Sequence, residues 1–188
     1  MMGRTHRPVL LKAVIAAINP RAQAIYVDGT FGGGGYSRGL LEVADCSVLG
    51  IDRDPEACAR GATMAQEFDG RLSTIHGCFG DMDRLLASQE IFNVEGIMLD
   101  IGVSSFQIDD PDRGFSFRFD GPLDMRMSLD GPTVADVVND TEQNELADII
   151  YKYGEERRSR RIAHAIVEAR SNAPIERTLE LADIVRDC

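Results

Sequence analysis

Ten residues, Asp28-Gly29-Thr30-Phe31-Gly32-Gly33-Gly34-Gly35-Tyr36-Ser37, set an acid ahead of four successive glycines. The glycines remove every Cβ where a ligand would touch backbone, and they tolerate the positive φ of a tight turn. A linker of this composition would not normally be wedged between the first strand and first helix of an α/β unit, which is where the flanking segments place it. The phosphate-binding P-loop needs Gly-Lys-Ser/Thr, and no such lysine is present. The dinucleotide fingerprint G-x-G-x-x-G also fails: its last position falls on Arg38 counted from Gly33 and on Ser37 counted from Gly32. A loop opened by an acid suits a ligand with a positively charged amino-acid end and no pyrophosphate. S-adenosylmethionine is such a ligand.

Asp52 follows Gly32 by twenty positions and closes a second strand-like segment. A carboxylate there is placed to accept hydrogen bonds from the ribose hydroxyls of an adenosine. NAD enzymes use the same device, so Asp52 indicates adenosine and not which cofactor. Phe79, read as the end of a third strand, is placed either to stack on adenine or to pack in the core. Asp100 closes a fourth strand in LDIGVSS. Ligands of open α/β sheets lie beyond the carboxyl ends of the strands. Asp28, Asp52, Phe79 and Asp100 are therefore expected on one rim.

Two further stretches carry chemistry. In residues 104–127, Phe115, Phe117 and Phe119 alternate, which suits core packing or a stacking surface for an extruded base. Arg113, Arg118 and Arg126 in the same stretch suit phosphate contacts or pairs with the local acids. In residues 152–161, Lys152, Arg157, Arg158, Arg160 and Arg161 stand against Glu155 and Glu156. Such a run is either solvated helix charge or an RNA contact.

The elements that must position these groups alternate. AIYVDGT (24–30), CSVLGIDRDP (46–55), RLSTIHGCF (71–79) and VEGIMLDIG (94–102) read as strands. Helices are expected from Ser37, from the Asp54-Pro55 start signal and in MDRLLAS. Strands alternating with helices imply a parallel sheet. Near Asp130-Gly131-Pro132 the character changes to helical stretches, with apolar positions at Leu146, Ile149, Ile150, Ile162 and Ile166. The expected organisation is a nucleotide-binding sheet domain over residues 1–129 and a helical part over 130–188. Only four strands are legible where doubly wound sheets usually carry about six, and the helical pattern runs to the last residue. A missing second half is expected.

Composition sets the outer bounds. The 188 residues are 44% hydrophobic and 27% charged, ordinary for a globular protein. A net charge of −11 argues against phosphate binding by the whole surface but leaves room for a local basic stripe. Cys46, Cys58, Cys78 and Cys188 form no zinc pattern, no metal site is expected, and reduced thiols in a cytoplasmic protein are the plain reading. No apolar run reaches spanning length, and VLLKAVIAAI reads as a helix rather than a signal peptide.

Several motifs together resemble the small-subunit ribosomal RNA cytosine-N4-methyltransferase family (the RsmH/MraW type). They are H-x-P-V-L at His6–Leu10, DGTFGGGGYS at 28–37, GIDRDPEA at 50–57, LDIGVSS at 99–105, DRGFSFR at 112–118, GPLDMRM at 121–127 and YGEERRSRRIAHAI at 153–166. The resemblance implies a Rossmann-like S-adenosylmethionine-dependent methyltransferase fold with a helical insertion that recognises substrate. It implies cofactor contacts at Gly34, Gly35, Tyr36, Asp52, Phe79, Asp100 and Gln107. It also implies methylation of a decoding-centre cytidine of 16S rRNA in the small ribosomal subunit. Position 36, commonly histidine in this family, is tyrosine here. The family continues through a later Ser-Phe-His-Ser segment that this chain does not contain.

Cytosine N4 is a poor nucleophile because its lone pair is delocalised into the ring. A carboxylate accepting its N–H would localise that pair, and Asp100 is the candidate, with a cofactor-holding role as the alternative. Other amino-methyltransferases use Asp/Asn-Pro-Pro-aromatic here, and no Pro-Pro occurs in the chain. Two other readings compete. One is a catalytically silent fragment that binds cofactor or RNA, with an uncovered edge on the strand at 94–102. The other is a dinucleotide-dependent oxidoreductase, which the failed third glycine disfavours.

Overall fold

The computed structural model describes residues 8–188, so His6 of the first motif lies outside the described residues. The chain forms two compact units, one ending at Ser104 and the other running Ser105–Cys188.

The first unit is α1 (Leu11–Ile18), β1 (Ile25–Asp28), α2 (Gly35–Val43), β2 (Ser47–Asp52), α3 (Pro55–Ala65), β3 (Leu72–His76), a 3-10 turn (Phe79–Asp81), α4 (Met82–Ala87) and β4 (Gly96–Met98). All strand pairs are parallel, in the order β3-β2-β1-β4. This is the expected α/β, Rossmann-like arrangement. Tyr26 and Val27 of β1 and Val48, Leu49 and Ile51 of β2 are almost wholly buried. Near-continuous apolar runs of this kind belong to strands covered on both faces. The start of α3 follows its signal: Pro55 occupies the first turn, and the Asp54 carboxylate accepts from the Glu56 N–H at 3.0 Å. Because all four strands run the same way, their carboxyl ends, Asp28, Asp52, His76 and Met98, share one side of the sheet.

The second unit contains α5 (Ser105–Asp109), a 3-10 turn (Pro111–Arg113), α6 (Val134–Asp140), α7 (Gln143–Gly154), α8 (Ser159–Arg170) and α9 (Thr178–Arg186). A capping box opens α6: the Thr133 hydroxyl accepts from the Asp136 N–H at 3.0 Å, and the Asp136 carboxylate accepts from the Thr133 N–H at 2.7 Å. Leu146, Ile162 and Ile166 are buried with Leu123, Val138 and Ile175 in a core of their own. The unit begins earlier than the change of character near residue 130. Residues 114–127 are irregular, and what ties them down is distant in sequence. Pro122 bridges Arg177, the Leu123 N–H donates to the Glu176 carbonyl at 2.8 Å, and the Thr178 N–H donates to the Gly121 carbonyl at 3.0 Å.

No helix among the described residues is long and apolar enough to cross a membrane. The four cysteines are free.

Candidate functional site

The glycine turn is organised from beneath by Asp28. This carboxylate is fully buried at the end of β1, where it accepts from the Ser37 hydroxyl at 2.7 Å and the Thr30 N–H at 3.4 Å. Burial pushes its pKa up to about 6, against the opposing pull of the Ser37 and Thr30 hydrogen bonds. Phe31, inside the motif, turns inward and is buried. Its ring occupies the space that Gly34 leaves: a Cβ on Gly34 would meet the ring at 2.5 Å, and Gly34 itself has φ +71°. Gly34 thus answers two demands at once, a left-handed backbone and a ring against its α-carbon.

Asp52 reaches the same turn from β2. One carboxylate oxygen accepts from the Gly32 N–H at 2.7 Å and the other from the Asp54 N–H at 2.9 Å. Each oxygen retains a second lone pair for a further donor. Asp100 joins from beyond β4, with its N–H donating to the Thr30 hydroxyl at 2.7 Å and its carboxylate 3.2 Å from the Tyr36 hydroxyl. That hydroxyl also lies 2.6 Å from the Val9 carbonyl, and its single proton serves one acceptor at a time. Burial and the Asp100 charge raise the Tyr36 pKa. Pro8 sits against Gly35, where a Cβ would come within 2.2 Å of the proline ring.

Gly34, Gly35, Tyr36, Asp52 and Asp100 are therefore gathered around one turn. Two strand ends move relative to expectation. β3 stops at His76, where the Gly77 N–H makes the last rung of the β2–β3 ladder to the Asp52 carbonyl at 2.9 Å, and Phe79 opens the following 3-10 turn instead of closing the strand. It is 37% exposed and borders Gly29, which also touches Leu99. β4 likewise stops at Met98, two residues before Asp100, which is exposed. Gln107 lies in the second unit, buried on α5.

The arginines of 104–127 separate by role. Arg113 is buried and donates to the Arg126 and Met127 carbonyls at 3.0 and 3.2 Å. Arg126 chelates Asp124 with contacts of 2.7–3.2 Å, which holds the Asp124 carboxyl below its usual pKa. Phe117 and Phe119 are exposed, while Phe115 lies under the Arg113 guanidinium at 5.9 Å. A groove of about 750 Å³ in the second unit, lined by Gln143, α8 and the end of α9, includes Arg160 and Arg161 of the basic run but none of the expected cofactor contacts.

Sequence reasoning missed Phe31 and the Pro8-Val9 contact. Phe31 carried a signal, an aromatic inside a glycine run, but its partners Gly50 and Gly61 lie far along the chain.

A parallel sheet with an acid at the end of β1, another at the end of β2 and a glycine turn between them is the architecture of the Rossmann-like methyltransferase class. The chain belongs to the MraW methylase family, whose sequence pattern matches residues 3–188. It is similar to proteins named ribosomal RNA small subunit methyltransferase H. The one from Rhodospirillum rubrum is 58% identical over 181 residues, covering 96% of this chain and 56% of the relative. The one from Paramagnetospirillum magneticum is 60% identical over 186 residues, 99% of this chain and 58% of the relative. The one from Gluconobacter oxydans is 58% identical over 183 residues, 97% and 56%. The chain thus spans little more than half the length of these curated relatives.

Proposed function

We propose that this chain is the cofactor-binding part of a cytoplasmic enzyme that methylates the N4 amine of a decoding-centre cytidine in 16S rRNA, with S-adenosylmethionine as methyl donor. The observation that carries this reading is the meeting of the glycine turn with Asp52 and Asp100 around Gly32, Thr30 and Tyr36. The residues fit the cofactor. Asp52 is fixed by two backbone amides with lone pairs to spare for ribose hydroxyls. Asp28, fully buried beneath the turn, holds the glycine loop in place through Thr30 and Ser37. Phe79 offers a half-exposed ring at the rim.

When bound, the cofactor supplies an electrophilic methyl group on a sulfonium. The protein's part is to align the amine, which is worth much of the acceleration in such transfers. Asp100, exposed and held through its backbone by Thr30, accepts the amino N–H and localises the nitrogen lone pair. Tyr36 holds the Asp100 carboxylate in place. Gly34 and Gly35 line the cofactor's path, and Gln107 is the further cofactor contact that the family resemblance adds.

The deciding experiment incubates undermethylated small subunits with tritiated S-adenosylmethionine and either this chain or a full-length version. Label entering a cytidine N4 supports the reading, and no transfer by the full-length version sinks it. With the full-length version, Asp100→Asn is expected to lower turnover while retaining cofactor affinity; the opposite pattern assigns Asp100 to holding the cofactor. Asp52→Ala is expected to weaken cofactor binding roughly ten- to a hundredfold by calorimetry, as removal of a charge-assisted bond implies.

A second reading, a fragment that binds cofactor without transferring methyl, is favoured by the chain's share of its relatives' length and by the unpaired edge of β4 among the described residues. Cofactor binding by this chain with label transferred by the full-length version alone would establish it.

A further inference from the structure

The last turn of α7 and the first turn of α8 expose a surface that the cofactor rim does not use. Every residue from Tyr151 to Arg158 is exposed, and so are Arg160 and Arg161. Tyr153 is 85% and Tyr151 58% exposed, so the fold gains little from either ring. Two residues apart on a helix is about 200° of rotation, which puts one ring on each side of the turn. Glu155 ends α7 in the left-handed region at φ 53°, its N–H donating to the Tyr151 carbonyl at 3.0 Å, and this reverses the chain into α8.

The charges at this reversal are uncompensated. Lys152 pairs with Asp148 at 3.1 Å, but among the described residues no side-chain carboxylate pairs with Arg157, Arg158, Arg160 or Arg161. Arg158 and Arg161 meet only main-chain oxygens, those of Cys188 and Asp187. Glu156 is occupied by the Arg158 N–H at 2.7 Å. The ten residues 152–161 carry five cations and two acids within a chain of net charge −11. Four guanidinium groups without a side-chain carboxylate, beside two solvent-facing phenol rings, match what single-stranded RNA offers, phosphates and unstacked bases. A protein partner would satisfy the cations with carboxylates but gives no reason for free aromatic faces beside them.

We infer that the α7–α8 reversal is a docking surface for single-stranded RNA, with Tyr151 and Tyr153 stacking on bases and Arg157, Arg158, Arg160 and Arg161 neutralising phosphates. The inference deepens the proposed function, since it rests on RNA being the substrate, and it assigns RNA docking to residues other than those around the glycine turn.

The test is fluorescence anisotropy of this chain with a short fluorescein-labelled single-stranded RNA, titrated over a range of salt. Arg157→Ala with Arg160→Ala is expected to flatten the slope of log affinity against log salt by about 1.4, at roughly 0.7 for each phosphate no longer neutralised. Tyr153→Ala is expected to weaken binding about 5- to 150-fold and to leave that slope unchanged, while Tyr153→Phe retains affinity. Arg21→Ala, on the first unit, is the charge control and leaves affinity unchanged. Absence of binding by the parent chain overturns the inference. So does parental affinity in the tyrosine and arginine variants, or equal binding of the same RNA as a duplex with no dependence on the tyrosines. Failure is separable from that of the proposed function. Methylation by the full-length version alongside insensitive variants removes only the docking surface, whereas tyrosine-dependent binding without methyl transfer removes only the reaction.

Discussion

Asp28 shows how one buried side chain ties the turn to pH. Its pKa stands near 6 in the folded chain against 3.8 for the free side chain. Between those values the unfolded chain gives up its proton while the folded chain keeps it. Stability is therefore full below about pH 4 and falls as pH rises through about 6, by roughly 3 kcal/mol for a shift of this size. Asp28→Asn is expected to abolish this part of the pH dependence in urea titrations. A bound cation would draw the Asp28 pKa back down, so cofactor affinity is expected to weaken as pH drops below about 6. Calorimetry across that interval checks it, and a flat profile would separate Asp28 from the ligand. Gly34 is the second residue under constraint. Gly34→Ala forces a Cβ into the Phe31 ring at a left-handed backbone position, and a decrease of about 1–3 kcal/mol in unfolding free energy is expected.

At the scale of elements, what the sequence made legible was local. Asp54-Pro55 announced α3 because a cap and its proline act within one turn, and the strand cores at Val27, Leu49 and Ile51 followed from their apolar runs. The helical stretches after residue 130 followed from period alone. Strand ends were less legible. β3 ends at His76 because its partner β2 ends at Asp52, just before Asp54-Pro55 opens α3, and that pairing is a tertiary contact with no local signature within β3. The Tyr36–Asp100–Val9 cluster was invisible for the same reason, although each member lies in one of the family motifs. β4 carries a further consequence. Among the described residues it is an edge strand, and Ile97 on it, with Leu99, Ile101 and Val103 just after it, is about half exposed or more. An unpaired apolar edge invites pairing with another chain. Ile97→Lys is expected to lower the concentration-dependent light scattering of this chain, and unchanged scattering would place the association elsewhere.

At the scale of the molecule, each unit encloses its own core, one built on Tyr26, Leu40 and Val48, the other on Leu146, Ile162 and Ile175. The second is stapled by Asn139, whose amide donates to the Ile175 carbonyl at 2.9 Å and whose carbonyl accepts from the Ile175 N–H at 2.9 Å. A chain of residues 105–188 is expected to show a helical circular-dichroism spectrum and cooperative thermal unfolding. A non-cooperative melt would show that the second core depends on the first. The division at Ser104/Ser105 was hidden in the sequence because residues 111–127 have no periodicity. Their place is fixed by partners at Glu176, Arg177 and Thr178.

Pro8 lies against the α-carbon of Gly35 with no room for a methyl group between them. Positions 8 and 35 therefore make one choice in two places. A descendant that acquires a side chain at 35 inherits a clash that only a change near its amino terminus relieves, so the two sites are bound to drift together or not at all.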